Sequence, residues 1–278
     1  MRLVYLGTPG MAVPTLDALV AAGHDVGLVV TGADKRRGRG TDTSPSPVKA
    51  AAERLGIPVV HTVDELLPEH AANPFDLGVV VAYGRIIRPH VLAAVPMVNL
   101  HFSLLPRWRG AAPVERALLA GDDETGVCVM AVEEGLDTGG VYARRTVPIG
   151  PRQTAPELRA ELVAAGTTLL VDTLAAAERH GGLPTPEPQT GEPVYAAKID
   201  PAELRIDWSR PAAKTDRLIR LGGAWTTWRG KRIKILAADL DEPRSTLEPT
   251  LVQPEGKPAM AYSAWRNGAQ PRPGEWFE

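Results

Sequence analysis

The sequence predicts an α/β protein in which a doubly wound, mostly parallel sheet is followed by a small β domain. Three observations predict it. Short apolar runs alternate with helical patterns through the first two thirds of the 278 residues. The run at 77–81 is apolar at every position, as a strand covered on both faces must be. After a proline-rich stretch at 182–193 the pattern changes to a hairpin among tryptophans.

Residues 3–7 read as the first strand, and 14–22 as a short helix ended by Gly23. A second strand, 25–31, runs into a polar loop at 32–44. Ser46 and Pro47 have the character of an N-cap and a first helical residue, opening a helix over 48–55 that stops at Gly56. Strands are expected at 59–61, 77–81 and 98–101. Two more, 126–132 and 141–147, are joined by a glycine-rich loop. Thr154 and Glu157 form a capping box for a long helix reaching Arg179. The segments between strands are long enough for crossovers, so the strands should run parallel. Ligands of such sheets sit beyond the carboxyl ends of the strands. The loops after Gly7, Val81 and His101 are therefore expected to share one crevice. Further on, 224–228, the turn Arg229-Gly230 and 231–237 predict a β-hairpin.

Composition narrows the classes. Hydrophobic residues make up 44% and charged residues 23%, ordinary for a globular protein. The net charge of -2 excludes a wholly basic protein but not a local basic face. The single cysteine, Cys128, lies in an apolar run and is expected as a reduced core thiol, so no disulfide framework or cysteine-rich zinc site can form. Histidines and acids show no metal-ligand spacing, and no metal is expected. The first residues read as a strand rather than a secretory leader, and no apolar run approaches the ~20 residues of a membrane span. A cytoplasmic protein with no membrane partner is expected.

Four stretches carry candidate chemistry. Asn99 and His101 stand two apart at a strand end and so point to one side. An amide donor beside an imidazole can serve an oxyanion and a proton transfer, though a satisfied core histidine beside a turn asparagine has the same spacing. Asp137 sits among glycines, which suits a backbone close to a ligand and equally a turn carboxylate bonding its own backbone. Gly7-Thr8-Pro9-Gly10 lacks the spacing of a dinucleotide loop, and Pro9 removes a donor. Basic residues gather at Lys35, Arg36, Arg37 and Arg39, again at Arg107 and Arg109 around Trp108, and again at Arg229, Lys231, Arg232 and Lys234. Three basic patches in a chain of net charge -2 mean segregated charge, which favours a polyanionic partner.

These residues carry a resemblance. Asn99-Leu100-His101, the stretch 103–113 and Leu136-Asp137-Thr138-Gly139 resemble the signature of the folate-dependent formyltransferases. Arg107-Trp108-Arg109-Gly110-Ala111-Ala112-Pro113 is similar to the branch that formylates a charged initiator tRNA. Leu6-Gly7-Thr8-Pro9, Val81-Ala82-Tyr83-Gly84, Ile206-Asp207-Trp208 and Gln253-Pro254-Glu255-Gly256-Lys257 extend the match. The resemblance implies a Rossmann-like sheet and, as co-substrate, 10-formyltetrahydrofolate. It implies Asn99, His101 and Asp137 as the catalytic trio. Ser103, Leu104, Leu105 and Pro106 would line the folate site, with Val81, Ala82, Tyr83 and Gly84 near the pterin. Initiator methionyl-tRNA would be the acceptor, met by Lys35, Arg36, Arg37, Arg39, Arg107, Arg109, Lys231 and Arg232. A monomer is expected.

The chain also departs from that family. Phe102 stands where a small residue is usual, and the family's Asn-Pro-x-Pro turn before Gly223-Ala224-Trp225 is missing. The expected division is a catalytic domain at 1–182, a linker at 183–197 and a shortened C-terminal β domain at 198–278. From 224 onward, two good strands and a doubtful third leave the family's OB-like barrel incomplete. That erosion favours a second reading, a paralogue formylating a small amine such as an amino sugar nucleotide or a hydroxylamine; a third is a non-catalytic relative that binds tRNA or folate.

Overall fold

In the computed structural model, which describes residues 1–36, 43–241 and 243–278, the apolar run at 77–81 is the middle strand of a seven-stranded sheet and is buried at every position. In chain order the elements are β1 (Arg2–Gly7), α1 (Val13–Ala21), β2 (Asp25–Val30), β3 (Lys35–Arg36), β4 (Thr43–Ser44), α2 (Pro47–Arg54), β5 (Val59–Val60), α3 (Leu66–Ala72), β6 (Leu77–Val81), α4 (Pro89–Ala94), β7 (Met97–His101), β8 (Arg109–Gly110), α5 (Pro113–Ala120), β9 (Glu124–Ala131), β10 (Val141–Pro148), α6 (Ala155–His180) and β11 (Tyr195–Ala196). Then come α7 (Ala212–Leu221), β12 (Trp225–Trp228), β13 (Lys231–Asp241), β14 (Thr246–Pro254), β15 (Met260–Ala261) and α8 (Tyr262–Ala269).

Two compact units result. One holds Met1–Pro113, Glu124–Pro148 and Arg159–Ala196; the other holds Val114–Asp123, Ile149–Leu158 and Ala197–Glu278. The stretch 183–196 is thus part of the first unit, where the sequence suggested a linker. Its backbone pairs with the strand Arg109–Gly110 and with Val141, contacts that proline content does not reveal.

In the first unit the sheet order is β10-β9-β7-β6-β1-β2-β5. The five strands from β7 to β5 are parallel, and β9 and β10 are antiparallel additions. Val80 of β6 lies opposite Asn99 of β7, and Asn99 and His101 lie opposite Met130 and Cys128 of β9. Cys128 is fully buried, as expected, and burial raises its thiol pKa. The caps form as read: Ser46 Oγ accepts from Lys49 N at 3.0 Å, and Glu157 accepts from Thr154 N at 2.9 Å. By length and composition α6 could cross a bilayer, which a search for unbroken apolar runs misses because charges interrupt it. Its residues Leu162, Leu170 and Leu174 are fully buried.

The second unit carries an antiparallel sheet of order β12-β13-β14-β15. The doubtful third strand of the sequence is the nine-residue β14, and a short fourth follows. Among the described residues no pairing closes β15 onto β12, so the sheet is open. Alternation along β13 buries Ile233 and Ile235 against Ile219, Val252 and Tyr262. A ring stack covers them: Trp208 and Trp265 each lie 5.4 Å from Phe277 at 16° and 25°. In place of the family's missing turn, α7 is followed by two glycines of positive φ, Gly222 and Gly223.

Candidate active site

Strand β7 delivers two side chains to one place because residues two apart on a strand share a face. His101 is buried and Asn99 half-buried. Among the described residues Asn99's carboxamide has no hydrogen-bond partner, which leaves donor and acceptor available to a ligand. His101 Nε2 lies 2.9 Å from Trp108 O. A carbonyl only accepts, so Nε2 carries the hydrogen and the basic nitrogen of the neutral ring is Nδ1. Nδ1 lies 3.6 Å from Asp137 Oδ2. That separation is too long for a direct hydrogen bond and short enough for charge to be felt.

Asp137 reaches this position from the loop between β9 and β10. Its φ of 50° is left-handed, a conformation that Asp tolerates better than most residues. Its carboxylate is 15% exposed and accepts from Gly110 N at 2.7 Å. Gly110 has φ 117°, and a Cβ there would stand 3.0 Å from Ala196 O. The glycine is needed by the turn and by the close approach of β11 at once. The sequence-predicted trio is therefore gathered at the carboxyl end of β7: one side chain free, one imidazole tied to Trp108, one carboxylate held by Gly110.

The loops around the trio divide into structural and exposed parts. Ser103 is fully buried and donates to Arg107 O at 2.6 Å. Leu105 packs with Cys128, Met130 and Val141. Leu104 lies on the bare backbone of Gly126, where a Cβ would be 2.5 Å from its Cδ2. Pro106 is half-buried and Phe102 buried. At the end of β6, Val81 and Tyr83 are buried. Ala82, with φ 48°, is half-buried, and Gly84, with φ 72°, is exposed over open space.

The candidate basic contacts fare differently. Lys35 and Arg36 form β3, paired with β4; Arg37 and Arg39 lie outside the described residues. Arg107 lies over the ring of Trp108, 4.5 Å from its centroid. Arg109 is half-buried, and its Nε and Nη2 donate to Gln189 Oε1 at 3.0 and 2.7 Å, so this cation is engaged internally. Lys231 and Arg232 are exposed on β13, with Arg232 over Trp225 at 4.2 Å. Among the described residues no group of three His, Cys, Asp or Glu side chains could hold a metal ion.

Sequence reasoning missed Gln189, which sits in the proline-rich stretch and bonds residues 50 to 80 positions away. No local pattern marks it. It also missed Trp108 O, since a backbone carbonyl leaves no trace in residue type.

Residues 1–174 match the family model described as formyl transferase, and 198–250 match formyl transferase, C-terminal domain. A methionyl-tRNA formyltransferase of Roseobacter denitrificans is 43% identical over 305 residues, covering 100% of this chain and 99% of the relative. Two solved structures share the fold. One, a methionyl-tRNA formyltransferase from Clostridium thermocellum, has a TM-score of 0.62 at 15% identity, covering 91% of this chain and 98% of its own. The other is HypX from Aquifex aeolicus in complex with tetrahydrofolic acid, with a TM-score of 0.68 at 17% identity, covering 97% of this chain and 47% of its own.

Proposed function

We propose, for a chain that belongs to the formyl transferase family, that it transfers a formyl group from 10-formyltetrahydrofolate to the α-amine of methionyl initiator tRNA. The observation that carries this reading is the gathering of Asn99, His101 and Asp137 at the carboxyl end of a central parallel strand. The methionyl-tRNA formyltransferase relative aligned over its whole length supports the acceptor. The tetrahydrofolate complex of a protein with this fold supports the donor.

The folate supplies an activated formyl group bound through its N10. An α-amine has a reference pKa of ~7.7–8.0, so part of it is neutral and nucleophilic near neutral pH. Its nitrogen bonds to the formyl carbon, giving a tetrahedral oxyanion. Asn99, whose amide has no partner among the described residues, donates to that oxygen. His101 cannot offer Nε2 as a base while Trp108 O holds its hydrogen. Nδ1 and Asp137 are therefore the groups that take the amine proton, directly or through one water. The carbon–N10 bond then breaks, and the proton returns to N10. No covalent enzyme intermediate is needed.

The first loop of 103–106 and the end of β6 are the proposed folate surface, with Leu104, Pro106, Ala82 and Gly84 at its accessible parts. The C-terminal stretch 198–278, with Lys231 and Arg232, is proposed to meet the tRNA, and the setting is cytoplasmic. The test is a transfer assay with 10-formyltetrahydrofolate and two acceptors, methionyl initiator tRNA and an amino sugar nucleotide. Formylation of the tRNA alone is expected. Formylation of the sugar alone would replace this reading by that of a small-amine enzyme.

A further inference from the structure

We propose that Gln189 is a positioning residue for the reaction: its carboxamide fixes the Asp137 loop to Arg109 and thereby holds the Asp137 carboxylate opposite His101. The inference rests on reading Asn99, His101 and Asp137 as the reacting groups.

Gln189 uses its amide fully. Nε2 donates to Asp137 O and Gly139 O, both at 2.8 Å. Oε1 accepts from Arg109 Nε and Nη2 at 3.0 and 2.7 Å. The partners also fix which end is which. A guanidinium only donates and a carbonyl only accepts, so the reversed amide would lose all four bonds.

These bonds close a ring. Asp137 Oδ2 is held by Gly110 N, Gly110 follows Arg109, Arg109 is held by Gln189, and Gln189 holds Asp137 O. Asp137 is thus gripped by side chain and backbone at once. The grip acts where it is needed, because φ 50° is a sparsely populated conformation for a non-glycine residue. The exposed Leu136 alongside has little packing of its own to keep the loop in place.

The strap carrying Gln189 is itself anchored on both sides. Glu187 exchanges backbone hydrogen bonds with Val141 at 2.8 and 2.9 Å. Ala196 O accepts from Ala111 N and Ala112 N at 2.9 and 3.1 Å. The strap therefore needs Gln189 less for its own placement than the Asp137 loop needs Gln189. A further contact reaches the imidazole. The loop that Arg109 belongs to also supplies Trp108 O to His101 Nε2, and that loop is held independently by Arg109 N donating to Val194 O at 2.9 Å.

The test is steady-state formyl transfer by the full chain with Gln189→Glu, Gln189→Met and Gln189→Asn. Gln189→Glu keeps the acceptor toward Arg109 and removes both donors, setting a carboxylate against two carbonyls. Gln189→Met keeps the volume and removes every polar atom. Both are expected to lower kcat by about 10²-fold, the scale for small misplacement of a reacting group, with KM for folate and for tRNA changed by less than about 3-fold. Gln189→Asn is expected to recover part of kcat.

The decisive comparison adds Gln189→Glu to Asp137→Ala. A residue acting through Asp137 causes little further loss once Asp137 is gone. A further loss as large as in the parent would mean a merely structural role and overturn the proposal. So would folded Gln189→Glu and Gln189→Met proteins with the parental kcat. If Asp137→Ala itself retains the parental rate, the catalytic reading fails first, whatever Gln189 does.

Discussion

Gly110 shows at the scale of one residue how the trio is placed. Its N–H holds Asp137, its φ is 117°, and its missing Cβ admits Ala196 O. Gly110→Ala should destabilise the fold by about 1–3 kcal/mol, the usual cost of one strained backbone position. It should also lower kcat by moving the N–H from Asp137. Urea unfolding and steady-state rates on the same preparation check both, and an unchanged kcat in a measurably destabilised protein would separate the glycine from the chemistry. Legibility at this scale followed residue type and spacing. Asn99 and His101 were visible as a pair because a strand fixes where residues two apart point. By residue type and spacing alone Asp137 has the character of a turn residue, since its left-handed backbone is invisible in a sequence. Arg109 looked like a free cation among cations, and only the arrival of Gln189 from 80 residues away shows its guanidinium engaged.

Elements were legible in proportion to their own punctuation. α2 and α6 were read from Ser46, Pro47, Thr154 and Glu157, which cap them. β6 was read to its exact bounds because a strand buried on both faces has no polar interruption. The helices α3, α4, α7 and α8 have no side-chain cap hydrogen bond among the described residues to mark their start, and with α5 they are not legible in the sequence. α7 is tied in by charge: Asp216, 3% exposed, accepts from Arg152 Nη1 at 2.6 Å and Arg220 Nε at 2.8 Å. Asp216→Ala strands the largely buried Arg220 and should cost about 3–5 kcal/mol, read as a lowered urea midpoint; a loss below 1 kcal/mol would show the network to be idle. α5 is tied to the segment after 197 by Arg116 and Glu203, at 2.7 and 2.9 Å. The guanidinium lowers the Glu203 carboxyl from 4.5 to about 2. A depressed carboxyl stabilises the fold above its unfolded pKa and loses that contribution as pH falls from about 4.5 through about 2. Glu203→Gln should therefore narrow the stability difference between pH 5 and pH 2.5 relative to the parent, and equal pH dependence would contradict the pairing.

At the scale of the whole molecule, the α/β class and the late β domain were legible, because alternation and crossover length survive without coordinates. The count of C-terminal strands was not, since β14 lacks clean alternation and carries Pro249 and Pro254 at partly paired positions. The proposed contact between the exposed cations and tRNA has a measurable signature. If three of the exposed cations meet phosphates, log KM for methionyl-tRNA should rise with log salt at a slope of about 2 to 3. A small-amine acceptor would show almost none. Formyl transfer by this site is tested by its single-turnover rate with methionyl initiator tRNA at saturating folate, in the parent chain and in Asn99→Ala. Loss of the Asn99 donor should slow the parent's rate by about 10²–10³-fold while the folate remains bound. A parental rate in folded Asn99→Ala would contradict the account, and absence of transfer by the parent would contradict the function itself.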